Sequence, residues 1–259
     1  MDILCALPAR CPLNVAKEWR FDVQGKEQPG ARIYFSPPSD EKNRRFVSWE
    51  LLRRNGAIVS RVGIYAGTFD PIHAGHLAFA RQAMTACNLE KVFFLVEPRP
   101  RRKQGVKALE HRTAMVQLAI ADQPRMGVIM LEQSRFNVTE TMPKLRKRFE
   151  GAELYLLMGD DVVNHLAHWP HVDELLNSVN FVVGIRNEKE QKVRATLATL
   201  KRTRGMHLNY ELFESTFPKY SSASIRLSIK RGKEPNGLLP VVQDYIAEHN
   251  LYSSTISRA

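Results

Sequence analysis

Two histidines in this sequence stand three residues apart, directly after an apolar run and a turn-forming segment. The run 62–66 leads into Gly-Thr-Phe-Asp-Pro at 67–71, and His73 and His76 follow with Gly75 between them. A helical pattern begins here, and a helix N-terminus offers unpaired N–H groups and the positive end of the helix dipole. Backbone donors and imidazoles together can bind the phosphates of a nucleotide, so the segment indicates chemistry at phosphorus.

Strand-like and helix-like runs alternate from residue 61 onward, and they must position this segment. We predict strands at 62–66, 91–96, 127–131, 153–158 and 181–185, and helices at 75–86, 109–121, 139–149, 172–177, 188–200, 222–231 and 240–249. Near-continuous apolar strands that alternate with helices indicate a parallel sheet covered on both faces. The predicted fold class is therefore α/β, with the ligand beyond the carboxyl ends of the strands.

Three polar segments directly follow predicted strands: the turn at 67–71, the loop at 97–103 and Gly-Asp-Asp at 159–161. Because the carboxyl ends of parallel strands lie at one edge of a sheet, we expect these segments to meet there. Some residues of these segments are expected to have structural roles. Asp70 and Pro71 suit a turn, and one of Asp160 and Asp161 is expected to cap the next helix.

The composition limits the class of protein. Of the 259 residues 44% are hydrophobic, enough for a sizeable core, but no apolar run is long enough to cross a bilayer. The first residues lack the basic and apolar regions of a signal peptide. The three cysteines are odd in number and form no CxxC pair, which argues against a disulfide framework or a cysteine-bound zinc. We therefore expect a cytoplasmic protein without a membrane partner.

The formal net charge of +11 is concentrated in four basic clusters, at 99–103, 144–148, 201–204 and 230–233. The second and third are interpreted as solvated helix faces. The first and last flank candidate site segments, where a small polyphosphate is the favoured partner and nucleic acid the less favoured one. Charge alone does not separate these two partners.

Residues 1–60 differ from the remainder of the chain. They contain five prolines, a polar run at 39–45 and only short element candidates, a strand at 31–35 and a helix or strand at 46–52. We expect an N-terminal extension at 1–60, whose fold the sequence does not indicate, and a second domain at 61–255.

Several segments, taken in order, resemble the HxGH nucleotidyltransferase superfamily, and most closely bacterial nicotinate-mononucleotide adenylyltransferase. They are Gly-Thr-Phe-Asp-Pro-Ile-His-Ala-Gly-His at 67–76, the Pro-rich basic loop 97–103, the helix start 109–115, the strand and turn 154–161 with 169–176, Tyr-Ser-Ser-Ala-Ser-Ile-Arg at 220–226, and the C-terminal segment 237–252. The resemblance covers about residues 61–252. It implies a Rossmann-like doubly wound sheet and identifies 61–255 as the catalytic domain.

The resemblance also implies a reaction, in which ATP donates AMP to nicotinate or nicotinamide mononucleotide and pyrophosphate leaves, a step of NAD biosynthesis. Mg²⁺ would accompany ATP, and no metal site made by the protein itself is implied. The implied catalytic residues are His73, His76, Lys103 and Arg226. The implied ATP-binding residues are Gly67, Thr68, Phe69, His73, His76, Asp161, Ser221, Ser222 and Arg226. The implied acceptor-binding positions are Val138 and Trp169, although Trp169 equally suits core packing.

The chain departs from the family pattern in the acceptor pocket. Val138 stands where the family has a threonine that helps hold the nicotinate carboxylate, and valine cannot donate a hydrogen bond. Ala223 replaces another family threonine, and the loop before Lys103 lacks the usual histidine. The acceptor therefore stays open between the acid mononucleotide, the amide and another phosphate ester.

Two further alternatives stay open. A non-catalytic nucleotide- or RNA-binding protein would fit the charge and the extension, and a homo-oligomer is compatible with the sequence. His165, His168 and His171 have a spacing that resembles metal ligands, but Pro170 interrupts any helix there, so we expect no metal.

Overall fold

The computed structural model describes residues 60–100, 103–131, 133, 135–186, 190–204, 208–214 and 220–253, and the backbone of 32–35. The candidate element at 46–52 lies outside these residues. No helix among the described residues is long and apolar enough to cross a membrane.

The described strands form one seven-stranded sheet in the order β1-β4-β3-β2-β5-β6-β7. The strands are β1 Arg32–Phe35, β2 Arg61–Gly67, β3 Lys91–Val96, β4 Met126–Met130, β5 Glu153–Gly159, β6 Asn180–Ile185 and β7 Tyr210–Glu214. All neighbours pair in parallel except β1, which is antiparallel to β4. The predicted parallel sheet is confirmed, and β7 is an additional strand that the sequence patterns did not indicate.

Helices cover both faces of the sheet, as predicted. They are α1 Ala74–Ala86, α2 Leu109–Ala119, α3 Val138–Arg148, α4 Asp160–Leu166, α5 Val172–Leu176, α6 Glu190–Arg204, α7 Ser222–Lys230 and α8 Pro240–Glu248. Side chains of α3 to α6, such as Leu145 and Leu197, join one core cluster. Leu77 of α1, Met115 of α2 and Ile246 of α8 join the cluster on the opposite face. The sequence patterns did not indicate the short helix α4.

Two basic clusters lie in the last turns of helices, and their side chains are exposed as predicted except that of Arg148, which is half-buried. Arg146, Lys147 and Arg148 end α3, and Lys201, Arg202 and Arg204 end α6. Cations in this position complement the negative end of the helix dipole.

β1 belongs to the segment that was predicted to be an N-terminal extension. Its residues pair with β4 from Arg32 opposite Met130 to Phe35 opposite Gly127. At least this part of the extension therefore completes the edge of the same sheet. The division of the chain into 1–60 and 61–255 stays a prediction, since the remainder of 1–59 lies outside the described residues.

The strand order fixes the place of the ligand crevice. β2 lies between β3 and β5, and the chain winds outward from β2 in both directions. In doubly wound sheets the crevice opens at this switch point, beyond the carboxyl ends of the strands. Here those ends are Gly67 of β2 and Gly159 of β5. The turn at 67–71 and the residues after Gly159 therefore lie at the same crevice, as predicted.

Candidate active site

The turn after β2 is built around Gly67 and Phe69. Phe69 has a φ of 49°, in the left-handed region that bulky residues rarely adopt. Its ring folds back over Gly67, where an added Cβ would lie 2.7 Å from the Phe69 Cζ atom. The ring also packs edge-on against Tyr65 and His76, with centroids 5.4 Å and 5.1 Å away. Gly67 is thus required by this close approach, and the turn presents its backbone to the crevice.

His73 and His76 lie together at the start of α1. His73 is the N-cap residue, and its ring lies 3.7 Å from that of His76, centroid to centroid. The His73 N–H donates to His76 Nδ1 at 3.2 Å, so in the neutral ring the proton of His76 is on Nε2. His73 is 1% exposed, and within the described residues its ring nitrogens have no hydrogen-bond partner, since the His76 N–H that faces the ring as in a capping box donates to the His73 carbonyl at 2.9 Å. Buried polar atoms without a partner are uncommon and are consistent with a ligand-binding role.

Both imidazoles favour the neutral form. Burial, and secondly the Arg186 guanidinium, lower the pKa of His73 to about 4. Burial, His73, Arg186 and Lys103 together hold the pKa of His76 well below its usual value of 6.5. Near neutral pH each ring therefore offers one N–H donor without carrying a charge of its own.

The buried neutral His73 predicts a pH dependence of stability. Its pKa is about 4 in the folded chain against 6.5 for the free side chain, so between these values the unfolded chain binds more protons. The free energy of unfolding therefore contains a contribution from His73 that is complete above pH 6.5 and is lost as the pH falls towards 4. This contribution amounts to about 3 kcal/mol. Urea unfolding of wild type at pH 7 and pH 4.5 should show this loss, and His73→Gln should reduce the difference. If His73→Gln left the stability difference between the two pH values unchanged, His73 would not be its source. His165→Gln, which replaces an exposed histidine, is the control.

A pocket lies beside the histidines at the switch point. Its free space is only about 10 Å³, about that of one water molecule, and it is lined by Tyr65, His73, Gly75, His76, Phe79, Gly159, Gly184, Arg186 and Tyr220. Tyr220 packs over Gly237, which has a φ of 80°, and an added Cβ there would lie 2.5 Å from the Tyr220 ring. The Gly237 carbonyl accepts the Ala74 N–H at 2.9 Å, which ties the C-terminal segment to the start of α1.

Arg186 is a pocket residue that the sequence reasoning missed. It follows β6 directly, and its Nη2 lies 3.6 Å from Asp161 Oδ1. Asp160 is fully buried, and its two carboxylate oxygens accept the N–H groups of Asp161 at 3.0 Å and Arg186 at 2.9 Å. The N-cap residue of α4 is Gly159, not an aspartate as predicted, but Asp160 has a structural role in the first turn of this helix, whereas Asp161 is exposed beside Arg186. Position at the carboxyl end of a strand was the signal that could have identified Arg186.

The start of α7 is joined to the turn after β2. Ser221 is the N-cap residue and accepts the Ser224 N–H at 3.1 Å. The Ser222 hydroxyl donates to the Pro71 carbonyl at 2.9 Å, and Arg226 Nη1 donates to the Asp70 carbonyl at 2.7 Å. Two motifs about 150 residues apart thus form one site, although the Ser222 hydroxyl proton is already used within the protein.

Lys103 also reaches this turn. Its Nζ donates to Thr68 Oγ1 at 3.0 Å. Burial lowers the pKa of Lys103, and Asp161 acts in the opposite direction. The predicted cation is therefore beside the turn.

Arg112, from the helix motif at 109–115, supports the loops from beneath. The residue is only 1% exposed. It donates to four main-chain carbonyls at 2.8 to 3.0 Å, those of Thr68, Glu97, Pro98 and Lys107. The turn after β2 and the loop that carries Lys103 are therefore held by one side chain.

The predicted acceptor positions belong to or pack against the core cluster formed with α3 to α6, and neither is among the residues that line the pocket. Val138 is the first residue of α3 and only 5% exposed, and Trp169 is half-buried, with its ring centroid 6.0 Å from that of Phe136. Core packing accounts for part of the Trp169 surface, and its stacking on a ligand stays a prediction. His171 contacts Glu174, and the described residues include no group of three or more His, Cys, Asp or Glu placed to hold a metal ion.

Comparison with known proteins agrees with this geometry. Residues 64–259 match the family model described as cytidylyltransferase-like. The chain belongs to this family. Members with similar sequences include the nicotinate-nucleotide adenylyltransferase of Bacillus subtilis, 29% identical over 76% of this chain and 100% of that protein. The probable nicotinate-nucleotide adenylyltransferase of Solibacter usitatus is 33% identical over 74% of this chain and 100% of that protein.

A solved structure of another protein shares the fold. The nicotinic acid mononucleotide adenylyltransferase of Plasmodium falciparum, solved in complex with NaAD, has a TM-score of 0.62 at 17% identity, over 74% of this chain and 97% of that one. The predicted Rossmann-like fold and the resemblance are confirmed. Because its relatives are nucleotidyltransferases, this member of the family is an enzyme, and the binding-only alternative is not supported.

Proposed function

We propose that the protein transfers AMP from ATP to nicotinate mononucleotide, and releases pyrophosphate, in NAD biosynthesis. The observation that carries the proposal is the adjacent pair His73 and His76 at the start of α1, which line a pocket at the switch point of the sheet. The similarity to nicotinate-nucleotide adenylyltransferases over three quarters of the chain supports the choice of reaction.

The donors of the site suit a triphosphate. The start of α1 carries the His73 and His76 rings, although its Ala74 and His76 N–H groups already donate within the protein, and the start of α7 carries N–H groups beside Arg226. Helix N-termini bind phosphate through these groups and the helix dipole, and a guanidinium adds charged donors. In the proposed complex the histidines contact the α-phosphate, which is transferred, and Arg226 and Lys103 contact the β- and γ-phosphates.

The reaction needs positioning and charge stabilisation from the protein. A 5′-phosphate oxygen of the mononucleotide forms a bond to the α-phosphorus of ATP, and the bond from that phosphorus to the bridging oxygen breaks as pyrophosphate leaves. Negative charge develops on the α-phosphate and bridging oxygens. The His76 Nε2–H and the crevice N–H groups are donors fixed before the reaction, so they stabilise this charge without reorganisation.

Mg²⁺ fits the site as an ion carried by ATP. Mg²⁺ in nucleotide sites is held by phosphate oxygens, waters and one or two carboxylates. The described residues form no protein cage for it, and Asp161 is an exposed carboxylate beside the crevice that could contact it. When bound, the ion would neutralise charge on the leaving pyrophosphate.

The acceptor is tested by a panel of mononucleotides, because Val138 offers no side-chain donor to a carboxylate. Purified protein is incubated with ATP, Mg²⁺ and the acid, the amide or another phosphate ester, and dinucleotide and pyrophosphate are measured. We expect dinucleotide from the acid form. Absence of product with both pyridine mononucleotides would refute the proposal, and product only with another ester would favour nucleotidyl transfer to that ester, the alternative acceptor left open by the sequence. The cytoplasmic location and a homo-oligomer stay predictions.

A further inference from the structure

Tyr252 joins the C-terminal segment to the turn after β2. Its hydroxyl donates to Asp70 Oδ1 at 2.6 Å across 182 residues of sequence. The residue is 8% exposed and has a φ of 63°, a left-handed conformation that a bulky residue rarely adopts. Burial and the Asp70 carboxylate raise the pKa of Tyr252, so the phenol remains a protonated donor. A strained residue that delivers one buried hydroxyl to one carboxylate suggests a role for that contact.

Asp70 lies between Tyr252 and Arg226. The carboxylate is 3% exposed, and its Oδ1 also accepts the Lys107 N–H at 3.4 Å. Its Oδ2 lies 3.8 Å from Arg226 Nη1, beyond hydrogen-bond distance, while that same Nη1 donates to the Asp70 main-chain oxygen. The guanidinium is thus anchored to the backbone of Asp70 without closing on its carboxylate.

Arg226 keeps the remainder of its guanidinium free in this arrangement. Its side chain is 38% exposed, and among the described residues only Nη1 has a hydrogen-bond acceptor. The other N–H groups are those that the proposed function directs to the ATP phosphates. Their availability depends on the Asp70 carboxylate being satisfied by another donor.

We propose that Tyr252 is a positioning residue for the ATP phosphate site. Its hydroxyl satisfies Asp70, and Arg226 therefore stays open to the phosphates. A buried carboxylate that loses its shortest hydrogen bond must find another donor, and Arg226 is the nearest cation. Without the hydroxyl, the guanidinium closes on Asp70 and withdraws from ATP. This inference rests on the proposed function, because it assigns Arg226 to the phosphates of the same reaction.

The test replaces Tyr252 by phenylalanine and separates the two substrates. The KM for ATP is expected to rise roughly tenfold, as for loss of one hydrogen bond to a charged group, while the KM for the mononucleotide stays unchanged. Tyr245→Phe is the matched control. It removes a phenol on α8 that contacts His111 Nδ1 at 3.0 Å, outside the site, and it should leave both KM values unchanged.

A mutant cycle shows whether the effect passes through Arg226. In an Arg226→Ala background, Tyr252→Phe should add little to the KM for ATP, because the side chain through which it acts is gone. Additive effects, or a lowered melting temperature with an unchanged KM for ATP, would overturn the inference.

The affinity for ATP is also measured by calorimetry in the absence of the mononucleotide, so that no reaction occurs. This measurement tests the positioning role of Tyr252 separately from the proposed reaction. Absence of dinucleotide with wild type would refute the function and leave this measurement valid. Equal ATP affinities of wild type and Tyr252→Phe would refute the positioning role.

Discussion

Replacing His76 by alanine is expected to lower kcat by about 10²–10³-fold, the loss found when one preorganised donor to a developing charge is removed. The His76 ring accepts a hydrogen bond from the His73 N–H at 3.2 Å and lies against the His73 ring, with the centroids 3.7 Å apart. Its Nε2–H is therefore aimed before the substrate arrives. Because charge on phosphorus oxygens is greatest in the transition state, the loss should be in kcat more than in the KM for ATP.

Steady-state kinetics with both substrates checks this prediction, and His168→Ala, an exposed imidazole outside the pocket, is the control. His76→Gln, which keeps an N–H donor but loses the ring, is expected to lie between wild type and His76→Ala. A wild-type kcat in His76→Ala would exclude a direct role of this ring in the transfer. A kcat loss accompanied by an equal loss in His168→Ala would indicate a general structural effect instead.

The sequence predicted those parts of the molecule that local patterns determine. Buried strands such as Lys91–Val96 have nearly continuous apolar residues because helices cover both of their sides. The turn with its paired histidines was identified because glycine, proline and imidazole residues have specific local uses. β7 was missed because this edge strand, Tyr210–Glu214, has no buried residue and carries two glutamates. α4 was missed because it is only seven residues long and begins directly after β5.

The site was predictable where residues belong to motifs, and not where distant segments meet. Arg226 and Lys103 are beside the turn, as expected from the resemblance. Arg186 could have been identified from its place directly after a predicted strand, whereas only the fold shows that Tyr220 lines the pocket. Asp70 was expected to serve the turn alone, yet it accepts a hydrogen bond from Tyr252 at the other end of the domain. Sequence spacing carries no information about such a pairing, since the register of the sheet and the packing of α8 determine it.

Arg112 holds the loops of the site, and its replacement by methionine is the second change with a large expected effect. The buried guanidinium donates to carbonyls on three separate segments, through Thr68, Glu97 with Pro98, and Lys107. Each carbonyl left without a donor in a buried place costs about 1–3 kcal/mol, less where water can reach it. We expect Arg112→Met to lower the free energy of unfolding by about 3–5 kcal/mol and to reduce kcat, because the turn and the Lys103 loop lose their common support.

Urea unfolding and steady-state kinetics measure the two effects separately, and Arg125→Met is the matched control. Arg125 also donates to main-chain carbonyls, those of Leu89 and Glu90. It is exposed and directly precedes β4, so it lies at the amino ends of the strands, away from the crevice. Its loss should cost about 1 kcal/mol or less and leave kcat unchanged, because water replaces the lost donor. Arg112→Lys, which keeps the charge but cannot reach all four carbonyls, should recover part of both losses. Equal unfolding midpoints for wild type and Arg112→Met would show that the loops are supported by other contacts.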